Sequence, residues 1–260
     1  MRYNRLRRNV AREKSAINET STHWTQTLIV VGIFALLTGL AVVGDWVLLD
    51  TDSPRRLSLP WMFAVFSGAF AITATFAVWT ARSLGLPSFL LLSPLSARRR
   101  WWRFAVYGVG TGLLIGLTNG LYLSTTGAPF RLTPVYNLDS HLKVFALAAR
   151  SALSEETMFR LFAIPFLASL GMRFYGWRPS FGFESGPAAP PRHPVRTPRR
   201  LVVISLIVSA FMFGMAHTGT PVFASVFGVV LGISYLRGGW ESAVTAHFLG
   251  NYLLFAGLYL

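Results

Sequence analysis

Long apolar stretches alternate with short polar segments along the whole chain. The apolar stretches lie at about 27–49, 60–81, 104–124, 143–172, 201–217, 221–236 and 241–260. Most reach or approach the ~20 residues that a helix needs to cross a bilayer. They are too long for barrel strands, and lipid offers backbone groups no hydrogen-bond partners. The pattern predicts an all-α, polytopic transmembrane helical bundle of about seven spans.

One apolar segment is too short and too rich in proline to be a span. Residues 83–97, SLGLPSFLLLSPLSA, separate the second and third stretches. We expect them to be interfacial or re-entrant and to form a short interfacial helix. The polar and apolar blocks suggest three regions: a basic cytoplasmic tail at 1–24, N-terminal transmembrane helices at 25–142, and a C-terminal transmembrane core at 143–260.

Composition and charge agree with a membrane protein. Hydrophobic residues make up 53% of the chain and charged residues only 13%, against roughly 25% charged in soluble domains. The net charge of +14 is concentrated in basic blocks at 1–14, 98–103 and 173–200. With seven spans these blocks share one side, which the positive-inside rule makes cytoplasmic. We therefore expect contact with membrane lipids, a cytoplasmic N-terminus and no nucleic-acid partner.

The third apolar stretch carries a regular glycine pattern. Gly108, Gly112, Gly116 and Gly120 recur every four residues, so they share one face of a helix. Such a face lets two helix backbones approach closely. We expect it to pack against another helix, and a substrate groove is the alternative.

The stretch SEETMFR places charged residues deep inside the fourth apolar run. Glu155 and Glu156 are adjacent, so they point about 100° apart on a helix and serve different purposes. Glu156 and Arg160 are four residues apart and suit an ion pair. Glu155 then remains as a candidate general base. The stretch alone is equally compatible with a structural polar cluster or with a proton relay in a transporter.

Two histidines also lie in apolar spans. His217 closes FMFGMAH, and His247 lies in VTAHFLGN, four residues before Asn251 and on the same helix face. Polar side chains on three separate spans indicate a functional site inside the membrane. Cysteine is absent, which excludes disulfides, a cysteine nucleophile and cysteine-ligated metal.

These three stretches together resemble the CPBP family, the CAAX-protease and bacteriocin-processing (ABI) membrane proteins. EETMFR matches the EExxxR motif of that family, FGMAH matches FxxxH from Phe213 to His217, and HFLGN matches HxxxN. The order is that of the family, and the resemblance covers about residues 143–260. It implies that 143–260 is a catalytic core and that the chain is an intramembrane endopeptidase, like the type II CAAX prenyl proteases.

The resemblance also implies roles for individual residues. Glu155 would activate the attacking water, with His217 helping to hold it. His247 and Asn251 would stabilise the oxyanion. Glu156 and Arg160 would support the site structurally, and Phe213 belongs to the second motif.

Two mechanisms fit this inventory. A water nucleophile is what the residues allow, because no convincing serine triad is present. We favour a glutamate mechanism without a cofactor. The alternative is a zinc metalloprotease in which Glu155, His217 and His247 bind the metal, although no HExxH sequence is present.

Helix length gives a rough estimate of depth for each candidate. Depth is counted from the cytoplasmic end of each predicted helix. Glu155 lies 17 residues from that end at residue 172, and His217 lies 17 residues after Arg200, or ~25 Å in each case. His247 follows Trp240 by only seven residues, or ~10 Å. The third depth therefore disagrees with the other two.

We expect an integral protein of a bacterial or archaeal cytoplasmic membrane, acting near the cytoplasmic side. Its substrates would be peptides or lipidated, prenylated proteins, and the sequence does not define the oligomeric state. Two alternatives remain: a catalytically silent membrane scaffold or regulator of the same fold, and a proton-coupled transporter that uses Glu155 as a relay.

Overall fold

The computed structural model describes residues 2–48, 58–126, 140–174, 197–217 and 220–259. Side chains are described from Trp24 onward, apart from Asp45 and a few near helix ends. The polar segments that separate the predicted spans at 50–59, 125–142 and 173–200 therefore lie largely outside the described residues.

Seven helices account for most of the described chain, and no strand occurs in these ranges. They are α1 (Arg2–Leu48), α2 (Leu59–Ser83), α3 (97–126), α4 (His141–Phe174), α5 (Arg199–Met215), α6 (Pro221–Gly238) and α7 (Trp240–Tyr259). The predicted all-α fold is thereby confirmed. Helix α1 continues without a break through the residues predicted to form a separate tail.

Five helical segments are long and apolar enough to cross a membrane. They are Trp24–Leu48, Leu59–Ser83, Ala97–Tyr122, His141–Phe174 and Pro221–Gly238. The other two predicted spans are also helices, but α5 has only 17 residues and α7 carries Glu241, His247 and Asn251. The helical membrane bundle is confirmed, and the chain is an integral membrane protein.

Large apolar side chains cover the outside of the bundle. Ile72, Leu117, Phe211 and Val222 are all exposed, on four different helices. In water such a surface would mark an interaction site. Around a bundle of membrane-spanning helices, it is the surface that lipid tails cover.

Two helices contain a wider π-helical stretch. In α3 it covers Phe104–Gly110, and in α4 it covers Thr157–Ala163. Such stretches are rare and are frequent at functional sites. The second one begins directly after Glu156.

The segment predicted to form a short interfacial helix is irregular instead. Residues 84–96 form turns and bends between α2 and α3. Pro87 and Pro94 lack the amide hydrogen that a helix needs, and Gly85 adopts a φ of 66°. The segment nevertheless packs into the bundle, because Phe89 and Leu90 are buried.

This irregular segment encloses the beginning of α7. The backbone amide of Trp240 donates to the carbonyl of Ser88 at 2.9 Å. The Glu241 carboxylate accepts the amide hydrogens of Leu90 at 2.7 Å and Leu91 at 3.1 Å. Helix α7 therefore begins inside the bundle, below a cover of irregular chain.

Gly239 makes that junction possible. It joins α6 to α7 with a φ of 80°, and a Cβ there would lie 2.7 Å from the amide nitrogen of Leu90. A side chain would therefore meet both backbone strain and a backbone clash.

Aromatic packing fixes the same end of α7. The Trp240 ring is fully buried and meets the rings of Phe34, Phe70 and Phe89 edge-on, with centroids 4.7, 5.6 and 5.4 Å apart. These contacts join α1, α2 and the irregular segment around the start of α7.

The glycine face of α3 packs against α7. A Cβ on Gly112 would lie 3.0 Å from the carbonyl oxygen of Ala246, and one on Gly116 would lie 2.9 Å from the Leu253 Cβ. Gly108 faces Ser242 at the same interface. The predicted close packing is confirmed for these three glycines, but it is wrong for Gly120, whose Cβ position has no described residue within 4 Å.

Candidate active site

The two adjacent acids of α4 occupy different environments, as their helical spacing requires. The Glu156 side chain is fully buried, whereas Glu155 is 28% exposed. The π-helical stretch starts at Thr157, so both acids stand at a change of helical pitch. One acid is thus part of the core, and the other faces open space.

Glu156 is held by two partners on opposite sides. Its Oε2 lies 3.2 Å from Nε of Arg160, which is the i, i+4 ion pair that the sequence predicts. Its Oε1 accepts a hydrogen bond from Nδ1 of His247 at 2.8 Å. The second contact joins α4 to α7 and was not predicted. Because a carboxylate only accepts, Nδ1 of His247 carries the hydrogen.

Arg160 is fully buried and makes further contacts around this pair. Its Nη2 donates to the carbonyl of Gly228 on α6 at 3.2 Å. Its guanidinium carbon lies 4.3 Å from the centre of the Phe213 ring, a cation–π contact. Arg160 therefore links α4 to α5 and α6.

Phe213 is the aromatic centre of the site. Its ring centroid lies 4.5 Å from that of His217 and 5.6 Å from that of His247. Its backbone carbonyl accepts a hydrogen bond from Nδ1 of His217 at 2.8 Å. A carbonyl cannot donate, so this bond places the hydrogen on Nδ1 and directs Nε2 away from the helix.

Glu155 lies between the two imidazoles. Its Oε2 is 3.6 Å from Nε2 of His217 and 3.8 Å from Nε2 of His247. Both distances exceed a direct hydrogen bond. They are short enough for one small molecule to contact the carboxylate and an imidazole together.

All four residues proposed for catalysis line one cavity of about 220 Å³. Glu155 comes from α4, His217 from the end of α5, and His247 and Asn251 from α7. Apolar side chains of α6, including Phe227 and Leu231, form much of the remaining wall. The structure thus brings together the candidate residues of three separate sequence stretches.

Four polar residues that sequence reasoning missed also line this cavity. They are Asn119 on α3, Arg150 and Ser151 on α4, and Thr220 just before α6. Asn119 is the single amide in the apolar stretch GLLIGLTNGLY. Searching the spans for buried amides as well as ionisable groups would have found it.

The depth estimated for His247 is corrected by the position of α7. The sequence estimate placed Trp240 at the membrane surface, but Trp240 is fully buried below residues 84–96. Two turns of helix from that enclosed start bring His247 within 3.8 Å of Glu155. The three depths therefore agree.

The cavity extends toward the end of the bundle that lies opposite the basic residues. Its wall includes His217 and Thr220 at the α5–α6 connection, and Leu147 near the start of α4. The basic residues 98–103 and 199–200 lie at the starts of α3 and α5, the opposite ends of those helices. If the basic blocks are cytoplasmic, the cavity does not lie near the cytoplasmic side. The two expectations are therefore incompatible.

The zinc alternative requires Glu155, His217 and His247 to converge on one metal ion. In the described ranges, no group of three or more histidine, aspartate or glutamate side chains is arranged to hold a metal ion. The structure thus gives the metalloprotease alternative no support, and chelation tests it directly.

Comparison with known proteins gives one match. Residues 137–253 match the family model described as type II CAAX prenyl endopeptidase Rce1-like. No curated protein and no solved structure matches the chain. The matched segment contains all three motifs and every predicted site residue, from Glu155 on α4 to Asn251 on α7. Residues 137–253 of this membrane protein are therefore similar to the Rce1-like type II CAAX prenyl endopeptidases.

Proposed function

We propose that the protein is an intramembrane endopeptidase in which Glu155 activates a water molecule. The observation that carries this proposal is the position of Glu155 between two imidazole nitrogens, at 3.6 and 3.8 Å, on the wall of a cavity. The match of residues 137–253 to the family model supports CAAX-type protease activity. The geometry supplies a base and donors for that chemistry.

The reaction begins with proton transfer from water to Glu155. The hydroxide oxygen attacks the carbonyl carbon of the scissile peptide bond, and the carbonyl oxygen takes the negative charge. Glu155 then gives its proton to the departing nitrogen as the C–N bond breaks. His217 holds the water, because its Nε2 accepts a hydrogen bond while Nδ1 is fixed on the Phe213 carbonyl.

His247 and Asn251 stabilise the oxyanion in this proposal. His247 donates Nδ1–H to Glu156, so donation to substrate requires a second hydrogen on Nε2. The imidazolium charge is then offset by Glu156 on one side and by Glu155 on the other. The Asn251 amide, one turn along α7, is the second donor.

The buried group behind the cavity keeps His247 in place. Glu156 receives Nδ1–H of His247 and is itself held by Arg160. Phe213 packs on Arg160 and on both histidines. Glu156 and Arg160 position the catalytic groups from behind the cavity wall, whereas Phe213 is itself part of that wall.

The substrates we propose are membrane-associated peptides or lipidated proteins, in a bacterial or archaeal cytoplasmic membrane. We retain the cytoplasmic N-terminus that the basic blocks favour. The cavity then extends toward the non-cytoplasmic side. No cofactor is required in this proposal.

A proton-coupled transporter is the second candidate, and one observation favours it. Arg160, Glu156, His247, Glu155 and His217 form a continuous chain of titratable groups across the site. Such chains relay protons in pumps and transporters. A silent scaffold or regulator of the same fold is the third candidate, and it has no catalytic reason to retain Glu155, His217, His247 and Asn251.

The test uses purified protein in proteoliposomes with a panel of membrane-tethered and prenylated peptides. Wild type, Glu155→Ala and His217→Ala are compared, each with and without a chelator. We expect wild type to cleave at least one peptide at a single bond, and both variants to lose that cleavage. Cleavage that persists in Glu155→Ala contradicts the mechanism.

Two further readouts separate the alternatives. Loss of activity with a chelator and recovery with zinc would replace the metal-free mechanism by the zinc one. Proton flux that follows a pH gradient, without cleavage of any peptide, would favour the transporter. Absence of both activities would favour the scaffold.

A further inference from the structure

Asn119 is a buried amide that nothing in the proposed mechanism uses. It lies on α3, outside the segment that matches the family model. It is only 5% exposed, and its Oδ1 has no hydrogen-bond partner among the described residues. A buried polar atom without a partner is costly and unusual in a folded protein. The Oδ1 of Asn119 is therefore free to accept a hydrogen bond from a ligand in the cavity.

The position of Asn119 indicates what that ligand is. It lines the cavity that also holds Glu155 and Asn251. A peptide that enters this cavity leaves water and brings its own amide hydrogens and carbonyl oxygens with it. Each of these groups needs a partner in an apolar site. A carboxamide has both a donor and an acceptor, so it can pair with a peptide group.

The packing of α3 on α7 gives the distance between Asn119 and the reacting groups. Gly116 stands level with Leu253, and Gly112 with Leu249, so the two helices run parallel in this region. Asn119 is three residues beyond Gly116, whereas Asn251 is two residues before Leu253. At 1.5 Å per residue, Asn119 lies roughly 8 Å beyond Asn251 along the helix axis. The same reasoning places it roughly 14 Å beyond His247.

An extended peptide advances about 3.3 Å per residue. The offset between Asn119 and the catalytic side chains therefore corresponds to about two to four residues of substrate. Asn119 lies in the direction of Thr220 and the connection between α5 and α6. It can contact a part of the substrate that the catalytic residues do not reach.

We propose that Asn119 binds the substrate backbone, accepting a peptide N–H on Oδ1 two to four residues from the scissile bond. It is a binding residue that sets how the peptide lies in the cavity. This inference rests on the proposed peptidase function and extends it to a part of the chain outside the family segment.

The first test compares Asn119→Leu with wild type, on the peptide that wild type cleaves best. Leucine fills a similar volume and removes both polar atoms. We expect KM to rise roughly 3- to 10-fold with kcat nearly unchanged, as for loss of one hydrogen bond made equally in ground and transition states. Thr118→Leu is the matched control, because Thr118 is exposed on the same helix and its hydroxyl donates to the Leu114 carbonyl. It should leave KM unchanged.

Thermal unfolding in detergent separates this role from a structural one. Asn119→Leu removes a buried carbonyl oxygen that has no partner among the described residues, so its melting temperature should equal or exceed that of wild type. A lower melting temperature, with a lower kcat and an unchanged KM, would mean that Asn119 supports the fold, and would overturn the proposal.

Ester-containing substrates test the hydrogen bond itself. A panel of peptides is made in which one backbone N–H at a time is replaced by an ester oxygen, at one to five residues on either side of the scissile bond. For wild type, one ester at two to four residues should raise KM roughly 3- to 10-fold. For Asn119→Leu the same ester should not raise KM any further.

The outcomes keep this inference distinct from the proposed function. Failure of wild type to cleave any peptide counts against the peptidase proposal and removes the basis of this one. If wild type cleaves a peptide and Asn119→Leu cleaves it with the same KM, only the role of Asn119 is overturned. Additive effects of ester and variant also overturn it, because they mean that the two groups do not meet.

Discussion

At the scale of single residues, the site separates two acids that are neighbours in sequence. Glu156 is enclosed by Arg160 and His247, whereas Glu155 faces the cavity. Burial of the first makes its charge dependent on its partners, because a buried carboxylate without a counter-charge is strongly unfavourable. Exposure of the second leaves it free to exchange a proton with water. The same residue type therefore serves structure at one position and chemistry at the next.

The first prediction concerns the buried ion pair. Arg160→Met removes the guanidinium and leaves Glu156 without its main counter-charge. We expect a loss of about 3–5 kcal/mol in the free energy of unfolding, measured by denaturation in mixed micelles. The double variant Glu156→Gln/Arg160→Met removes both charges and should recover much of this loss. A double variant as unstable as Arg160→Met would show that charge burial is not the cause.

At the scale of secondary-structure elements, α7 determines the geometry of the site. It brings both His247 and Asn251, and its depth depends on residues 84–96, which cover its start. Its lateral position depends on the glycine face of α3, where backbones meet closely. A helix held at its start and along one face has little freedom to move its catalytic side chains.

The second prediction tests the α3–α7 contact with two matched glycine variants. In Gly112→Ala the new methyl group would meet the Leu249 Cβ at 2.7 Å and the Ala246 carbonyl at 3.0 Å. We expect lower thermal stability and lower activity, because the helices must separate and carry His247 and Asn251 away from Glu155. Activity and melting temperature are measured on the same purified protein.

Gly120→Ala is the control, since no atom of the described part of the chain lies within 4 Å of its Cβ position. It should be neutral or slightly stabilising, because alanine favours a helix by up to about 1 kcal/mol over glycine. Equal effects of the two variants would mean that close packing of α3 on α7 is not required.

Contacts within one helix could be predicted from the sequence, whereas contacts between helices could not. The pair Glu156–Arg160 was predictable because helical periodicity alone brings i and i+4 together. The contact between Glu156 and His247 was not, because 91 residues separate them and their meeting depends on how α4 packs against α7. The depth of His247 was wrong because Trp240 looks like an interfacial residue but begins a helix inside the bundle. Asn119 was missed because it lies outside the three motifs.

At the scale of the whole molecule, charge and cavity lie at opposite ends. The basic residues at the starts of α3 and α5 are distant from the connection that carries His217 and Thr220. If the basic end faces the cytoplasm, substrates reach the cavity from within the membrane or from its other side. Sidedness therefore determines which peptides the protein can meet.

The third prediction uses the absence of cysteine from the chain. Single variants Arg99→Cys and Thr125→Cys place one thiol at each end of α3, both at exposed positions. We expect a membrane-impermeant maleimide to label Thr125→Cys in intact cells, and Arg99→Cys only after permeabilisation. The reverse pattern would invert the orientation and place the open end of the cavity on the cytoplasmic side.

The central claim is that Glu155 is the general base for peptide hydrolysis, and single-turnover kinetics test it most directly. The rate constant for cleavage is measured for wild type, Glu155→Gln and the neighbouring control Ser154→Ala, whose side chain is exposed and bonds to the carbonyl of Arg150. We predict a loss of about 10²- to 10⁴-fold for Glu155→Gln, with peptide binding retained and the control unchanged. Cleavage by Glu155→Gln at the wild-type rate would rule out Glu155 as the general base.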